Sequence, residues 1–257
     1  MADLWGALMD ALPGNWELFK AWSTWRFLLD GLWLAVRIAV QAIILSLVVG
    51  VLMSVARLAP SRPIRWAATT YVEVLRATPL LLLLFFVFFG SARTDYGLNP
   101  ERAAVLALTL YNSAVVAEIM RAGILSISKG LLEASRALGM TYLQSMRYIA
   151  VPMALRRMSP GLVSQLITLF KDTSLAAIIG VLELVRSGRI LFDSVAFGNP
   201  TLEVLIVISF MYFIPSYALS LVAQRLERGP EARAGREQGV VVVATGAGPE
   251  ALPPPEH

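Results

Sequence analysis

Apolar residues in this chain are gathered into blocks of about 20, and nothing else limits its fold so severely. Residues 38–56 contain no charge, and 79–89 are proline followed by an unbroken run of Leu, Phe and Val. At about 1.5 Å per helical residue, such blocks cross a hydrocarbon core of about 30 Å. Five spans are predicted, at 31–56, 68–91, 101–121, 158–182 and 201–224, so the fold class is all-α integral membrane. Asn99-Pro100 and Asn199-Pro200 introduce the third and fifth, each an N-cap residue followed by proline at the first helical position. Only 16% of residues are charged, against about a quarter in a soluble domain.

Residues 1–27 read as an N-terminal interfacial or periplasmic segment. Trp5, Trp16, Trp22 and Trp25 suit a helix at the membrane surface, and no basic start followed by an apolar run marks a cleavable signal peptide. Residues 28–228 form the membrane domain. The tail 229–257 is rich in Gly, Ala, Pro and Glu and is expected to be disordered; its apolar run at 240–243 is too short to span.

Lys and Arg distribute unevenly between the spans. Loop 57–65, segment 121–157 and the tail from Arg225 hold thirteen; the connections on the other side hold six. The positive-inside bias therefore puts the N-terminus outside and the C-terminus inside. This basic inner face accounts for the high pI of about 9.6 without a nucleic-acid partner.

Several chemistries are excluded. There is no cysteine, and the one histidine is the last residue, His257. No metal site, thiol nucleophile or histidine base is available, so no catalytic residue is assigned. No Gly-x-x-x-x-Gly-Lys-Ser/Thr loop occurs either, so any ATP chemistry belongs to another polypeptide.

The longest internal polar connection is 128–157. Ser128 can cap a helix over about 129–138, Gly139 suits its left-handed stop, and Thr141 with Gln144 is a capping box that starts another. Leu131, Ala134 and Leu138 share one face of the first helix, while Ala134, Ser135 and Gly139 are small enough for close backbone approach. Periodicity alone fits docking into a partner's groove and lying on the membrane surface equally well.

Polar residues inside spans are costly and face protein or water. Arg37 and Gln41 stand a turn apart on the first span, with Arg37 close enough to the outside to snorkel. Glu73 and Arg76 on the second, and Glu118 and Arg121 on the third, are spaced to pair within their own helices as structural or gate charges. Lys171, Asp172, Thr173 and Ser174 interrupt the fourth span halfway along, which calls for a local break or a water-filled cavity. A zwitterionic solute needs an acceptor for its ammonium and donors for its carboxylate. Asp172 offers the first, and Lys171, Thr173 or Ser174 the second, with Asn112 and Thr78 as further polar contacts. These six are the candidate substrate path.

From Glu133-Ala134 through Gly139 to Ile149 and Pro152, the polar segment resembles the signature of permease subunits of ATP-binding-cassette (ABC) importers, with Ser135 for the usual Ala and Val151 for the usual Leu. Residues 71–80, 117–123 and 171–175 look like the polar amino-acid uptake branch, which takes histidine, glutamate, glutamine, arginine and opines. The likeness runs over roughly 28–228. It implies a type I importer permease with five spans and a cytoplasmic coupling helix, in the bacterial inner membrane. It also implies a second permease subunit, ABC ATPase subunits docked on 129–152, and a periplasmic or lipid-anchored binding protein. Glu133, Ala134, Ser135, Gly139, Ile149 and Pro152 would then be the docking residues. ATP and magnesium would sit on the ATPase, with no cofactor on this chain. The alternative is an autonomous ion-coupled transporter or channel using Glu73, Glu118, Lys171 and Asp172. That reading needs an internal repeat or paired broken helices, and no duplication is found.

Overall fold

The computed structural model describes residues 16–93, 97–193 and 200–227, and all regular elements among them are helical. The first, α1, runs Trp22–Arg57, about 54 Å long and nine residues earlier in its start than hydropathy alone sets it. Its buried side is a ladder of small residues, among them Ala35, Ala39, Ala42, Ser46, Gly50 and Ser54. These lie against α4 (Pro100–Leu125), whose own buried side carries Ala103, Ala104, Ala107, Ala114 and Ala117. Small residues let two membrane helices approach until their backbones nearly touch. Gly50 is the extreme case: a Cβ there would stand 2.6 Å from Val116 Cγ1 and 2.9 Å from the Ser113 carbonyl.

The second predicted span, 68–91, is not one helix. α2 (Arg62–Ala77) and α3 (Leu80–Ser91) meet at an angle of 105°. Pro79 has no N–H to continue the ladder and its ring crowds the preceding residue, so Thr78 is driven to extended backbone at φ −85°, ψ 128°. Among the described residues four helical stretches are long and apolar enough to cross a membrane, and this broken pair brings the number to as many as five.

Asn99 caps α4 as expected, its side chain accepting from the Arg102 amide at 2.8 Å with Pro100 in the first turn. Beyond α4, α5 (Lys129–Ala137) and α6 (Tyr142–Ser145) form the polar segment. A π turn over Met146–Ala150 then leads into α7 (Val151–Asp172). Pro152 cannot donate in the first turn of α7, and the Val151 amide bonds back five residues to Met146.

At Thr173 the backbone tightens into a 3₁₀ stretch, Thr173–Ile179, which stops at Gly180 with φ +97°. The interruption expected at Lys171-Asp172 is thus a real change of helix type. Where the sequence reads as a loop, α8 (Leu184–Phe192) follows, capped by Glu183. The last helix, α9, spans Thr201–Glu227. Asn199 and most of the N-terminal segment and tail lie outside the described residues. Of the N-terminal segment, Leu18 and Phe19 are buried against Leu28, Leu184, Val204 and Ile208, and the Trp25 indole donates to the Phe19 carbonyl at 2.9 Å.

Candidate functional site

α5 is held by its inner face. Leu132 packs on the cluster of Val116, Met120, Ile124 and Met146, and Ser135 Oγ lies 2.8 Å from Ser145 Oγ. Ser135, expected on the docking surface, is therefore turned inward and acts as a strut between α5 and α6. The outer face carries Leu131, Glu133 and Ala134, with Leu138 84% exposed at the helix end. Such exposure of a leucine is costly in water and sensible against a partner.

The helix ends in a Schellman motif. Gly139, at φ +81°, donates to Arg136 O at 2.9 Å, and Met140 donates to Ser135 O at 3.2 Å. Ser128 stands at the N-cap position without a side-chain cap bond. The Thr141–Gln144 capping box forms in both directions, at 3.3 and 2.8 Å. Ile149 is half-buried on the π turn and Pro152 is exposed in the first turn of α7. Two braces fix this segment to the spans: the Tyr142 hydroxyl donates to Val55 O at 2.8 Å, and Arg157 to Ser126 O at 2.9 Å.

A charge cluster sits above it. The Glu118 carboxylate receives Arg57, Arg121 (Nε at 3.2 Å) and, more distantly, Arg76 at 3.7 Å. Arg57 also approaches Glu73 at 3.8 Å. Glu118 and Arg121 pair within their helix as their spacing predicts. Glu73 and Arg76 do not pair with each other; each reaches across to another helix, so the cluster ties α1, α2 and α4 together. Arg37 likewise bridges helices, binding both Glu101 oxygens at 2.7 Å rather than snorkelling alone.

The six residues of the candidate path are not gathered into one cluster. Thr78 lies at the α2–α3 bend, its hydroxyl returned to Val74 O at 2.8 Å. Asn112 is fully buried, donating to Leu108 O at 2.9 Å and accepting from Gln165 Nε2 at 2.7 Å, an α4–α7 link. Thr173 is buried and returns its hydroxyl to Phe170 O at 2.6 Å. Asp172 and Ser174 are half-buried. Lys171 points the other way, into a groove of about 530 Å³ lined by Ser209, Tyr212, Phe213, Ser216, Tyr217 and Ser220 of α9.

That α9 stripe, with a polar or aromatic residue every three or four positions, was readable as periodicity. Glu183 carried no such signal. It is fully buried, accepts from the Val185 and Arg186 amides at 2.9 Å and from the Tyr212 hydroxyl at 2.6 Å, and so locks α8 to α9. No group of three or more His, Cys, Asp or Glu among the described residues is placed to hold a metal.

The chain thus combines a short polar-segment helix between spans, a charge cluster joining α1, α2 and α4, and a polar groove along α9. The probable glutamine ABC transporter permease protein of Bacillus subtilis is 40% identical over 201 residues, 78% of this chain and 92% of that one. The glutamate transport system permease protein GluD of Corynebacterium glutamicum is 36% identical over 234 residues, 89% of this chain and 83% of its own. Among solved structures, an amino acid ABC transporter crystallised with histidines superposes with a TM-score of 0.70 at 30% identity, covering 79% of this chain and 94% of that one. The MetNI methionine ABC transporter in an inward-facing conformation shares the fold, with a TM-score of 0.65 at 21% identity over 81% of this chain and all of that one. The family model for the binding-protein-dependent transport system inner membrane component matches residues 42–230, and with spans and relatives in agreement, this chain belongs to that family.

Proposed function

We propose that the chain carries a polar amino acid inward, receiving it from an external binding protein and taking its energy from ABC ATPase subunits seated on residues 129–152. Membership of the family makes it a multi-pass inner-membrane transport subunit and not an enzyme. The observation that carries the coupling assignment is α5: an outward apolar face ended by Gly139 and braced to the spans through Ser135 and Tyr142. Movement of α5 is transmitted to α1 by the Tyr142–Val55 bond and to α7 by the continuous turn through Ile149 and Pro152. Glu133, Ala134 and Gly139 meet the ATPase, and the inward Ser135 keeps them presented. The excess of basic residues puts this face in the cytoplasm.

For the solute, Lys171 in its α9 groove suits a carboxylate and half-buried Asp172 an ammonium. The named relatives, a probable glutamine and a glutamate permease protein, support this class of cargo. A second permease subunit covers the exposed α9 stripe and closes the groove into a path. Glu118, with its three arginines, holds the inner end of α1, α2 and α4 in register, and a change of pathway access requires this cluster to rearrange. The cargo biases the two access states only through its different affinity for them. ATP and magnesium reside on the ATPase.

Reconstitution tests the whole reading. In proteoliposomes the isolated chain is expected to be inactive, with uptake appearing on addition of the ATPase, the binding protein and MgATP. Uptake by the isolated chain on an ion gradient would overturn it.

A further inference from the structure

A further cavity lies beside the coupling segment, away from the α9 groove. It is a cleft of about 690 Å³ between the end of α1, the start of α2 and the α6–π-turn stretch. Its volume falls within the range of about 300–1,000 Å³ typical of small-molecule sites. Leu52 and Val55 form one wall, Ile64 the second, Met146 and Val151 the third. Leu52 stands five residues, about 7.5 Å, inside Arg57, so the cleft runs from hydrocarbon depth to the interface.

The mouth is basic. Arg147 lines it directly, with its guanidinium 5.6 Å from the Tyr148 ring centre. Arg65, outside the lining itself, donates from Nη1 to the carbonyl of Ala59, a lining residue, at 3.0 Å. None of the lining residues is acidic. Glu118, the nearest carboxylate on α4, is engaged with Arg57, Arg76 and Arg121. Trp66, next in sequence to Arg65, is exposed, as an interfacial aromatic would be.

An apolar cleft lined by Arg147, with Arg65 bonded to a lining residue, on the basic side of a membrane protein, matches one chemistry: an acyl chain carrying an anionic headgroup. We propose that this cleft binds an anionic phospholipid of the inner leaflet, its chain against Leu52, Val55 and Ile64 and its phosphate between Arg65 and Arg147. The lipid then forms part of the hinge, because one wall is the spans and the other the segment that carries α5. Cardiolipin and phosphatidylglycerol share the relevant chemistry; a zwitterionic lipid lacks the net charge.

The cleft is walled in part by residues 142–151 of the coupling segment, but its test does not depend on ATP-driven uptake. The test uses the full-length chain in nanodiscs, with and without its partner ATPase, and phosphatidylglycerol bearing a photoactivatable acyl chain. Labelling of peptides covering 51–56 and 142–151 is expected to exceed that by the equivalent phosphatidylcholine about fivefold. Arg147→Gln and Arg65→Gln reduce it to the phosphatidylcholine level. Leu52→Trp, at an exposed position, fills the cleft and removes labelling by both lipids, so the test survives if an arginine variant fails to assemble. Equal labelling by the two lipids overturns the proposal. So does labelling no stronger than that around exposed Phe86 on α3, or its loss when the ATPase binds, which would make the cleft a protein interface. Failure of ATP-driven uptake leaves this result unaffected, so the two readings fail separately.

Discussion

Helices α4 and α9 are nearly equal in length, yet the protein treats them in opposite ways. In the most apolar stretch of α4, 61% of residues are buried; in that of α9, 11% are. The less buried helix is the more apolar of the two. In a membrane, hydrophobicity marks what faces lipid, and the interior is built instead from small and hydrogen-bonded residues. α4 accordingly carries alanines, Ser113 held by Tyr71 at 2.8 Å, and Asn112 held by Gln165. α9 is a surface with a polar stripe along it. The outer face of α5 is the same kind of surface outside the spans.

Adding volume breaks the comparison most sharply. Gly50→Leu drives side-chain atoms into Val116 and the Ser113 carbonyl, at a cost of at least about 1–3 kcal/mol. Its melting temperature in detergent is expected to fall by roughly 5–10 °C. Ala218→Leu, the same kind of addition on exposed α9, leaves it unchanged. A similar fall in both would mean that α9 is packed as tightly as α4.

Next in size is Glu118→Gln, which leaves three arginines facing one another with Glu73 alone nearby. Since Glu118 is 26% exposed, solvent screening limits the loss to about 1–2 kcal/mol. The double variant with Arg57→Gln is expected to lose less than the two single losses added, read from detergent melting. Strict additivity would deny the cluster its role as a joint between α1, α2 and α4.

A third comparison lies inside α4. Asn112→Leu strands the Gln165 amide and costs about 1–3 kcal/mol, whereas Asn112→Leu with Gln165→Leu comes close to neutral. If the double variant is as unstable as the single, the link is not a self-contained pair. The smallest stability effect is expected on the open side. Lys171→Gln leaves melting unchanged but raises the solute concentration needed for half-maximal uptake. Unaltered uptake would remove Lys171 from the path.

Local backbone chemistry made much of this legible in the sequence. Asn99-Pro100 starts α4, Thr141 and Gln144 form their capping box, Gly139 takes a left-handed conformation and the fourth span breaks beside Asp172. What escaped depends on distance along the chain. Arg57 meets Glu118 from 61 positions away, and no i, i+3 rule reaches that far. Hydropathy averaged over Thr78-Pro79 reported one span where the backbone turns by 105°. The connection between the fourth and fifth predicted spans holds α8, and the buried Glu183–Tyr212 pair that seats it joins residues 29 apart. Ser135 was given to the docking face for its size, and its partner Ser145 turns it inward.

Coupling through α5 is tested most directly at Gly139. A Cβ there would meet nothing within 4 Å in this chain, so substitution adds only the left-handed strain of about 1–2 kcal/mol and whatever the partner surface imposes. Gly139→Ala carries the strain alone; Gly139→Asp adds a charge on the docking face. With ATPase, binding protein and MgATP in proteoliposomes, Gly139→Ala is expected to retain measurable uptake and Gly139→Asp none, both at wild-type abundance in the membrane. ATP-driven uptake by Gly139→Asp at the rate of the unmodified chain would contradict the coupling role.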